Sequence, residues 1–569
     1  MHFDLSCYES LGEAFWKRFL HFKSKVALIE VDRDQERLRL TYEEVGHGSR
    51  RIASALQERG FLRGDRCAIL MSNQSKWLLS GIGAIWAGGV LVPLDYRATA
   101  GEQCAFLSHC EPKALIVEWP LWERLRKEVS ELPKFEVFVT DAPPEIDVSP
   151  GQHWESCISQ SSQYEKLSRD DTAAILYSSG TGGRTKGCML SHGNYLSQVQ
   201  QFHAHAQFRE SDRYFSVLPT NHAVDFVFGF LYPLLRGCTV VHQRTLRPQY
   251  LVSTLRQYQI DVTTFVPLIL QEIRKGIEKR LDVLSPSDKR NFQLVIQLNR
   301  WACTGPRPWL SRLAFKKLHA EFGGRIRLIM TGGTLVSSDL VRFFHDLGFF
   351  VGIGYGLTEA GTAVSAPLWN QTCSHADNVG KILPDTKVQI RQADEHGVGE
   401  IWIRSPSIMK GYFKDPELTE EVLIDGWLRS DDLGSLDSRG FLKIRGRLKN
   451  MIITGGGKNV YPEDIEASFE ELPGSTEQCV FATHYIWPGV FPIEDSLFIV
   501  VHPRETIEPQ VLANELRSRN RNLTDYKRIS GFIIWPHDFP RVSSLKIKRH
   551  QLAQDIELTL TPDCVQKLR

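Results

Sequence analysis

The sequence predicts an α/β protein: a large N-terminal domain of stacked βαβ subdomains plus a small β-barrel-like part, followed by a smaller α+β C-terminal domain. Three observations carry this expectation. Up to about Gly399, short apolar runs alternate with amphipathic stretches; from Glu400 onward, short strands are split by turns; and a mixed α+β texture begins near Lys449. The expected domains are therefore residues 1–448 and 449–569.

At the start, residues 11–22 place Leu11, Phe15 and Phe19 on one helical face, with Trp16 and Leu20 beside it. Docking onto the large domain explains that face, and peripheral contact with a membrane surface is the alternative. Residues 42–59 read as a helix because Val45, Ile52, Ala55 and Leu56 recur at helical spacing. The runs CAIL (67–70), VLVPL (90–94), ALIVE (114–118), TVVH (239–242) and RLIMT (327–331) read as strands of parallel sheets. Residues 77–94 carry no charge and imitate a membrane span, but Gly81, Gly83, Gly88, Gly89 and Pro93 fit a buried helix, a glycine break and a short strand better. No transmembrane segment is expected. Farther on, EIWIRS (400–405), GWLRS (426–430), FLKIRG (441–446) and NMIITG (450–455) are short strands separated by turns such as Asp437-Ser438-Arg439-Gly440.

Of 569 residues, 42% are hydrophobic and 24% charged, which supports a sizeable core and excludes disorder as a description of the chain. Sixty-eight Lys and Arg against 67 Asp and Glu leave a net charge of +1, so there is no general electrostatic reason to bind nucleic acid. The eleven cysteines are scattered without a CxxC pair, and the opening MHFDLSCYES lacks the basic and apolar regions of an export peptide. Reduced thiols and a cytoplasmic location are expected.

The most informative stretch is an apolar strand that runs into Ser178, Ser179, Gly180, Thr181, Gly182, Gly183, Arg184, Thr185, Lys186 and Gly187, followed by GCMLSH and an amphipathic helix with Tyr195, Val199 and Phe202. Glycines let backbone N–H groups approach a ligand, hydroxyls add donors and Lys186 adds positive charge, a chemistry suited to polyphosphate. It is not a P-loop: counted from Gly180, Thr185 stands where the second glycine is required, and no Ser or Thr follows Lys186. A GxSxG nucleophile elbow is also missing from this loop. Composition alone would equally suit a flexible surface loop.

This loop resembles the phosphate-binding signature of the adenylate-forming (AMP-binding) ligases, the superfamily of acyl-CoA synthetases, luciferases and adenylation domains, with Gly182 and Thr185 departing from its Tyr-Thr-Ser-Gly-Thr-Thr-Gly-x-Pro-Lys-Gly pattern. Further motifs follow in the family's order across nearly the whole chain. Leu218-Pro219-Thr220-Asn221-His222 resembles the segment whose histidine sits beside the acyl pocket. Thr331-Gly332-Gly333-Thr334-Leu335 resembles the turn against adenine, and Tyr355-Gly356-Leu357-Thr358-Glu359 matches the adenine and magnesium motif. Asp432, in Trp427-Leu428-Arg429-Ser430-Asp431-Asp432-Leu433-Gly434, stands where the family's aspartate binds the ribose hydroxyls, with Asp431 in place of glycine. Gly446-Arg447-Leu448-Lys449-Asn450 resembles the segment before the mobile C-terminal domain, which makes Arg447 a nucleotide contact and Lys449 the hinge. Pro540-Arg541-Val542-Ser543-Ser544-Leu545-Lys546-Ile547-Lys548-Arg549 resembles the segment of the catalytic lysine, with Lys546 in its place, Leu545 replacing glycine and Lys548 as the alternative.

The resemblance implies ATP, Mg²⁺ on Glu359 and coenzyme A as thiol acceptor. Catalysis would rest on Lys546, Thr358, Glu359 and His222. ATP or AMP would be held by Ser178 to Gly183, Lys186, Gly332, Gly333, Thr334, Tyr355, Gly356, Asp432 and Arg447, and the thiol would meet Gly455, Gly456 and Gly457. It implies formation of acyl-AMP, rotation of the C-terminal domain about Lys449, and transfer to the thiol. The stretch Ile452 to Glu463 is one residue longer than in acetyl- and aryl-CoA ligases and is similar to that of long-chain acyl-CoA synthetases. With the apolar run Phe226-Val227-Phe228-Gly229-Phe230-Leu231-Tyr232, it points to a medium- or long-chain fatty acid. The alternatives are a fatty acyl-AMP ligase that loads an acyl carrier protein, and a nucleotide-binding homologue that has lost catalysis.

Overall fold

A computed structural model describes residues 3–129, 131–156, 162–178, 186–283, 285–302, 309–333, 336–367, 378–453, 459–470, 472–487, 496–504, 508–541 and 547–568. The chain divides into two compact units. The first holds residues 1–180, 184–388 and 403–428; the second holds 181–183, 389–402 and 429–569. The expected boundary between residues 448 and 449 falls within the second unit, in the short turn Leu448–Asn450.

The first unit is built on two sheets. One has seven strands in the spatial order Val351–Gly354, Leu328–Gly332, Val262–Thr264, Arg213–Ser216, Thr239–Gln243, Val26–Asp32 and Gln35–Thr41, with only the final pair antiparallel. The other has eight, ordered Gly411–Tyr412, Lys186–Ser191, Thr172–Ser178, Val90–Pro93, Arg66–Leu70, Ala114–Glu118, Glu136–Thr140 and Gln152–His153. Its central strands are parallel, as the apolar runs imply. Strands within residues 387–447 make a separate five-stranded sheet. The α/β class is confirmed.

Local chemistry explains the helices that hold these sheets. Helix Tyr42–Gln57 starts in a capping box in which Thr41 and Glu44 satisfy each other's backbone N–H groups. The uncharged stretch forms helix Ser75–Trp86, a left-handed break at Gly88 and strand Val90–Pro93. No helix among the described residues is long and apolar enough to cross a membrane. Helix Leu11–Phe22 buries Leu11, Phe15 and Phe19 within the first unit, where Phe15 lies 5.7 Å from the Phe230 ring and Trp16 lies 5.1 Å from Trp86. The face of Leu11, Phe15 and Phe19 is therefore occupied by the protein's own core, whereas Leu20 beside it is exposed.

Residues Phe226–Leu231 form a π-helical turn, and all six are buried. Phe226 and Phe230 meet Trp77, Phe226 also meets Tyr195, and Phe228 lies 4.3 Å from Phe202. The run that suggested a fatty-acyl channel is packed aromatic core.

In the second unit, a four-stranded sheet (Ser475–Ala482, Leu497–Pro503, Gly531–Ile534, Gln566–Lys567) is covered on one face by Ile465, Leu512 and Leu516 and on the other by Leu552 and Ile556. Arg549, mostly shielded from solvent, pairs with Glu466 and donates to the Val480 carbonyl. The turn 437–440 forms as expected: Asp437 accepts from the Arg439 and Phe441 N–H groups.

Candidate active site

The strand before the glycine-rich loop returns directly. Thr172–Ser178 pairs antiparallel with Lys186–Ser191, and Ser178 lies opposite Lys186. The loop therefore joins two strands of a hairpin, and the helix His192–His205 begins only after the second. A P-loop leads straight from strand into helix, which gives the departure from that signature a structural basis. Ser179, Gly180, Thr181, Gly182 and Gly183 lie outside the described residues, as do Thr334, Gly455, Gly456, Gly457 and Lys546.

Lys186 is described, and what it meets was not foreseen. Its ammonium lies 5.5 Å from the centre of the Tyr412 ring. Tyr412 belongs to the short edge strand Gly411–Tyr412, in register with Met189 and Cys188. Backbone bonds from Lys410 N to the Met189 carbonyl and from Phe413 N to the Gly187 carbonyl, 2.8 Å each, extend that pairing.

From the other side, Tyr412 reaches the expected magnesium ligand. Its hydroxyl donates to Glu359 Oε1 over 2.9 Å. Glu359 lies in the tight turn Thr358–Ala360, and its own carbonyl accepts from Met409 N. Ser407 Oγ donates to the Ala360 carbonyl, and Gln198 Oε1 accepts from Ala363 N. Preceding this turn, Tyr355 bridges Ser365, and a Cβ on Gly356 would sit 1.6 Å from the Thr362 carbonyl oxygen. No residue with a side chain fits at Gly356 without moving that backbone.

Gly332 ends strand Leu328–Gly332 opposite Gly354, where a Cβ would lie 2.4 Å from the Gly354 carbonyl oxygen. The two backbones that carry the Gly332-Gly333 turn and Tyr355 are thus in direct contact. Beside them, buried Thr331 Oγ1 has no hydrogen-bond partner among the described residues. Such an orphan hydroxyl at a glycine turn fits a polar ligand group better than a closed core.

A buried polar network places His222. Asn73 Oδ1 accepts from Thr220 N and Oγ1, and Asn73 donates to the Leu218 carbonyl. Asp225, wholly buried, accepts from Ser216 Oγ and Thr220 Oγ1. Burial pushes the Asp225 carboxyl up to about 7, against the pull of those two hydroxyls. Residues on both sides of His222 are thereby fixed, and Thr362 Oγ1 donates to the Ala223 carbonyl, tying the segment to the turn that carries Glu359.

In the second unit, Asp432 stands opposite Arg447 on paired strands, with an ion pair of 3.1 Å and little exposure of the carboxylate. Asp431 adopts φ +58°, the left-handed region that glycine favours. Asp431 thus holds a backbone conformation that glycine would adopt without strain. Aspartate tolerates that region better than most residues, and its carboxylate pairs with Lys449 at 3.0 Å and with Arg429 at 3.7 Å.

Residues 15–413 match the family model described as AMP-binding enzyme. The chain belongs to the AMP-binding enzyme family. A "3-[(3aS,4S,7aS)-7a-methyl-1,5-dioxo-octahydro-1H-inden-4-yl]propanoyl:CoA ligase" from Rhodococcus jostii is 29% identical over 78% of this chain and 81% of the relative. The long-chain-fatty-acid–CoA ligase FadD13 of Mycobacterium tuberculosis is 26% identical over 92% of this chain and 94% of its own length. Among solved structures, the anthranilate CoA ligase AuaEII in complex with anthranoyl-AMP shares the fold, with a TM-score of 0.78 at 18% identity over 97% and 98% of the two chains.

Within this AMP-binding enzyme, Lys186 and Glu359 are brought together through Tyr412, while Gly332 and Tyr355 sit on touching strand ends. Asp432, Arg447 and Lys449 form a second cluster within their own unit. Sequence reading missed Tyr412, Asn73 and Asp225. Tyr412 lies 226 residues from Lys186 and 53 from Glu359 in a stretch without chemical patterning, so no local signal could find it. Asp225 did leave a trace: it is the one charged residue in the apolar stretch from Ala223 to Leu235.

Proposed function

We propose that the acid activated by this AMP-forming acid–thiol ligase is a medium- or long-chain fatty acid, joined to AMP with release of pyrophosphate and then passed to coenzyme A. In the first step a carboxylate oxygen forms a bond to the α-phosphorus of ATP, and the bond to the bridging oxygen of pyrophosphate breaks. In the second, the thiol sulfur attacks the acyl carbon, AMP leaves with the bonding pair, and the thiol proton passes to solvent.

The observation that carries this reading is the meeting of Lys186 and Glu359 on one tyrosine at the mouth of the glycine- and hydroxyl-rich hairpin. Gathering mutually repelling anions needs fixed positive charge and positioning more than covalent catalysis. Lys186 and the 178–187 loop would hold the β- and γ-phosphates. Glu359 offers one hard oxygen, which fits a Mg²⁺ that takes its other ligands from waters and phosphates; that ion would neutralise charge on the leaving pyrophosphate. Thr358 would donate to the α-phosphate beside it. Gly332, Gly333, Thr334, Tyr355 and Gly356 would enclose adenine, and Asp432 and Arg447 would hold ribose and phosphate. His222 would border the acyl group, Lys546 would steady the attacking carboxylate, and Lys449 would act as hinge before Gly455, Gly456 and Gly457 receive the thiol.

Support for a fatty acid comes from the loop before Glu463 and from the end-to-end match to a long-chain ligase. We place the reaction in the cytoplasm because the eleven cysteines are scattered along the sequence with no CxxC pair. Pyrophosphate release is measured with acetate, octanoate, hexadecanoate, ferulate and a bicyclic dioxo-indenyl propanoate, with and without coenzyme A. Fastest turnover with octanoate or hexadecanoate, completed only when coenzyme A is present, supports the reading. Preference for either ring acid overturns the fatty-acid assignment.

A further inference from the structure

We propose that Tyr412 is a positioning residue of the adenylation site, which orients the Glu359 carboxylate with its hydroxyl and steadies the Lys186 ammonium with its ring. The inference rests on the reading of Glu359 and Lys186 given above and adds the element that couples them.

Four features separate this from ordinary packing. Tyr412 is 5% exposed, and a buried tyrosine needs a partner for its hydroxyl; a carbonyl oxygen would serve, yet the partner is Glu359 Oε1 at 2.9 Å. A hydrogen bond to an ionised acceptor is shorter and stronger than one between neutral groups, so it restrains the carboxylate's rotation. Among the described residues no hydrogen bond reaches Glu359 Oε2, which leaves that oxygen as the one to face a cation. On the same ring, Lys186 lies at 5.5 Å, within the range where an aromatic face attracts an ammonium.

Tyr412 is itself held from three directions. Its strand pairs with Met189 and Cys188, three and two residues beyond Lys186, so the register that fixes the ring also fixes the lysine's backbone. Tyr412 N donates to Thr419 Oγ1 over 2.8 Å, and Thr419 Oγ1 donates onward to the Asp415 carbonyl. Met409 N, three residues earlier, donates to the carbonyl of Glu359 itself. One short segment, 409–412, therefore grips both the backbone and the side chain of Glu359 while it edges the hairpin of Lys186. A shift of that segment would move the two charged groups together.

The test uses the full chain, with Mn²⁺ as the probe ion and ATP as the nucleotide. Tyr412→Phe keeps the ring and removes the bond to Glu359; Tyr412→Leu removes the ring as well. Electron paramagnetic resonance of Mn²⁺ with ATP should show about tenfold weaker ion binding in Tyr412→Phe, with kcat for pyrophosphate release down by about the same factor and KM for the acid unchanged. Metal-free ATP affinity should be unchanged in Tyr412→Phe and fall about threefold or more in Tyr412→Leu. Thr419→Val, which frees the tyrosine backbone, should shift Mn²⁺ binding in the same direction by less, and it carries the test if Tyr412→Phe does not fold. Wild-type Mn²⁺ affinity in the folded Tyr412→Phe protein, or in Thr419→Val in its place, overturns the proposal. Glu359→Gln separates the two levels: if it leaves Mn²⁺ binding intact, the magnesium assignment of Glu359 fails, and with it this role for Tyr412; if it abolishes binding while Tyr412→Phe does not weaken it, only the positioning role fails.

Discussion

Replacing Asp225 by asparagine should remove a pH dependence of stability that its burial creates. An aspartate in the unfolded chain titrates near 3.9, whereas the Asp225 carboxyl in the folded protein is pushed up to about 7 by complete burial. Below pH 4 the group is protonated in both states, and its folded form is then uncharged and fully stabilising. As pH rises from 4 to 7, the unfolded chain gives up the proton and the folded chain keeps it. Stability therefore falls by about 1.4 kcal/mol per pH unit, to a total of about 4 kcal/mol, and is flat above 7. Asparagine has the same shape, and Ser216 and Thr220 can exchange donor and acceptor roles to serve its amide. Buried His192 and His242, both held down to about 4 by burial, titrate alike in the two proteins and cancel in the difference. The assay is urea denaturation of both proteins from pH 4.5 to 8.5, followed by intrinsic tryptophan fluorescence, to which Trp77, packed on Phe226 beside Asp225, contributes. The stability of wild type minus that of Asp225→Asn should fall steadily up to pH 7. A difference that is constant across this range, or that rises, refutes the reasoning.

Other outcomes follow from the same geometry. At Asp431, left-handed backbone costs an ordinary residue about 1–2 kcal/mol, while its ion pairs to half-exposed partners are worth about 0–1 kcal/mol each. Asp431→Gly should therefore change stability by less than about 1 kcal/mol and Asp431→Val should cost about 2 kcal/mol, as read by thermal denaturation. Thr331→Val removes a buried hydroxyl without a described partner, so unliganded stability should hold or rise by about 1 kcal/mol while ATP affinity, measured calorimetrically, falls about fivefold or more. Lys546→Ala should lower acyl-AMP formation by on the order of 10²-fold or more yet spare thioester formation from supplied acyl-AMP, and equal loss of both half-reactions in the folded variant would contradict its assignment.

Much of the fold was legible because its signals are local. The glycines at 81, 83, 88 and 89 turned an apparent membrane span into helix, break and strand, and the 3.6-residue spacing of Val45, Ile52, Ala55 and Leu56 marked a helix that the structure contains. Glycine requirements are equally readable in hindsight, since Gly356 and Gly332 stand where backbones nearly touch. Pairing between distant segments was not legible. Nothing in the residues 186–191 says that they return as a strand rather than open a helix, because GCMLS suits either until the Ser191 cap is seen. Tyr412 was hidden for a related reason: its role arises from an edge strand two residues long, whose register only the folded sheet defines. The aromatic run at 226–232 misled in the opposite direction, since the same residues would suit a lipid channel or a core, and packing against Trp77, Tyr195 and Phe202 decided for the core.

The claim on which the account turns is that a fatty carboxylate attacks the α-phosphorus of ATP in this protein. Incubation with hexadecanoate carrying ¹⁸O in its carboxyl group, ATP and coenzyme A, followed by mass spectrometry of the products, tests it directly. One labelled oxygen in AMP and none in pyrophosphate is the predicted result. Unlabelled AMP, or label in phosphate or pyrophosphate, would contradict it.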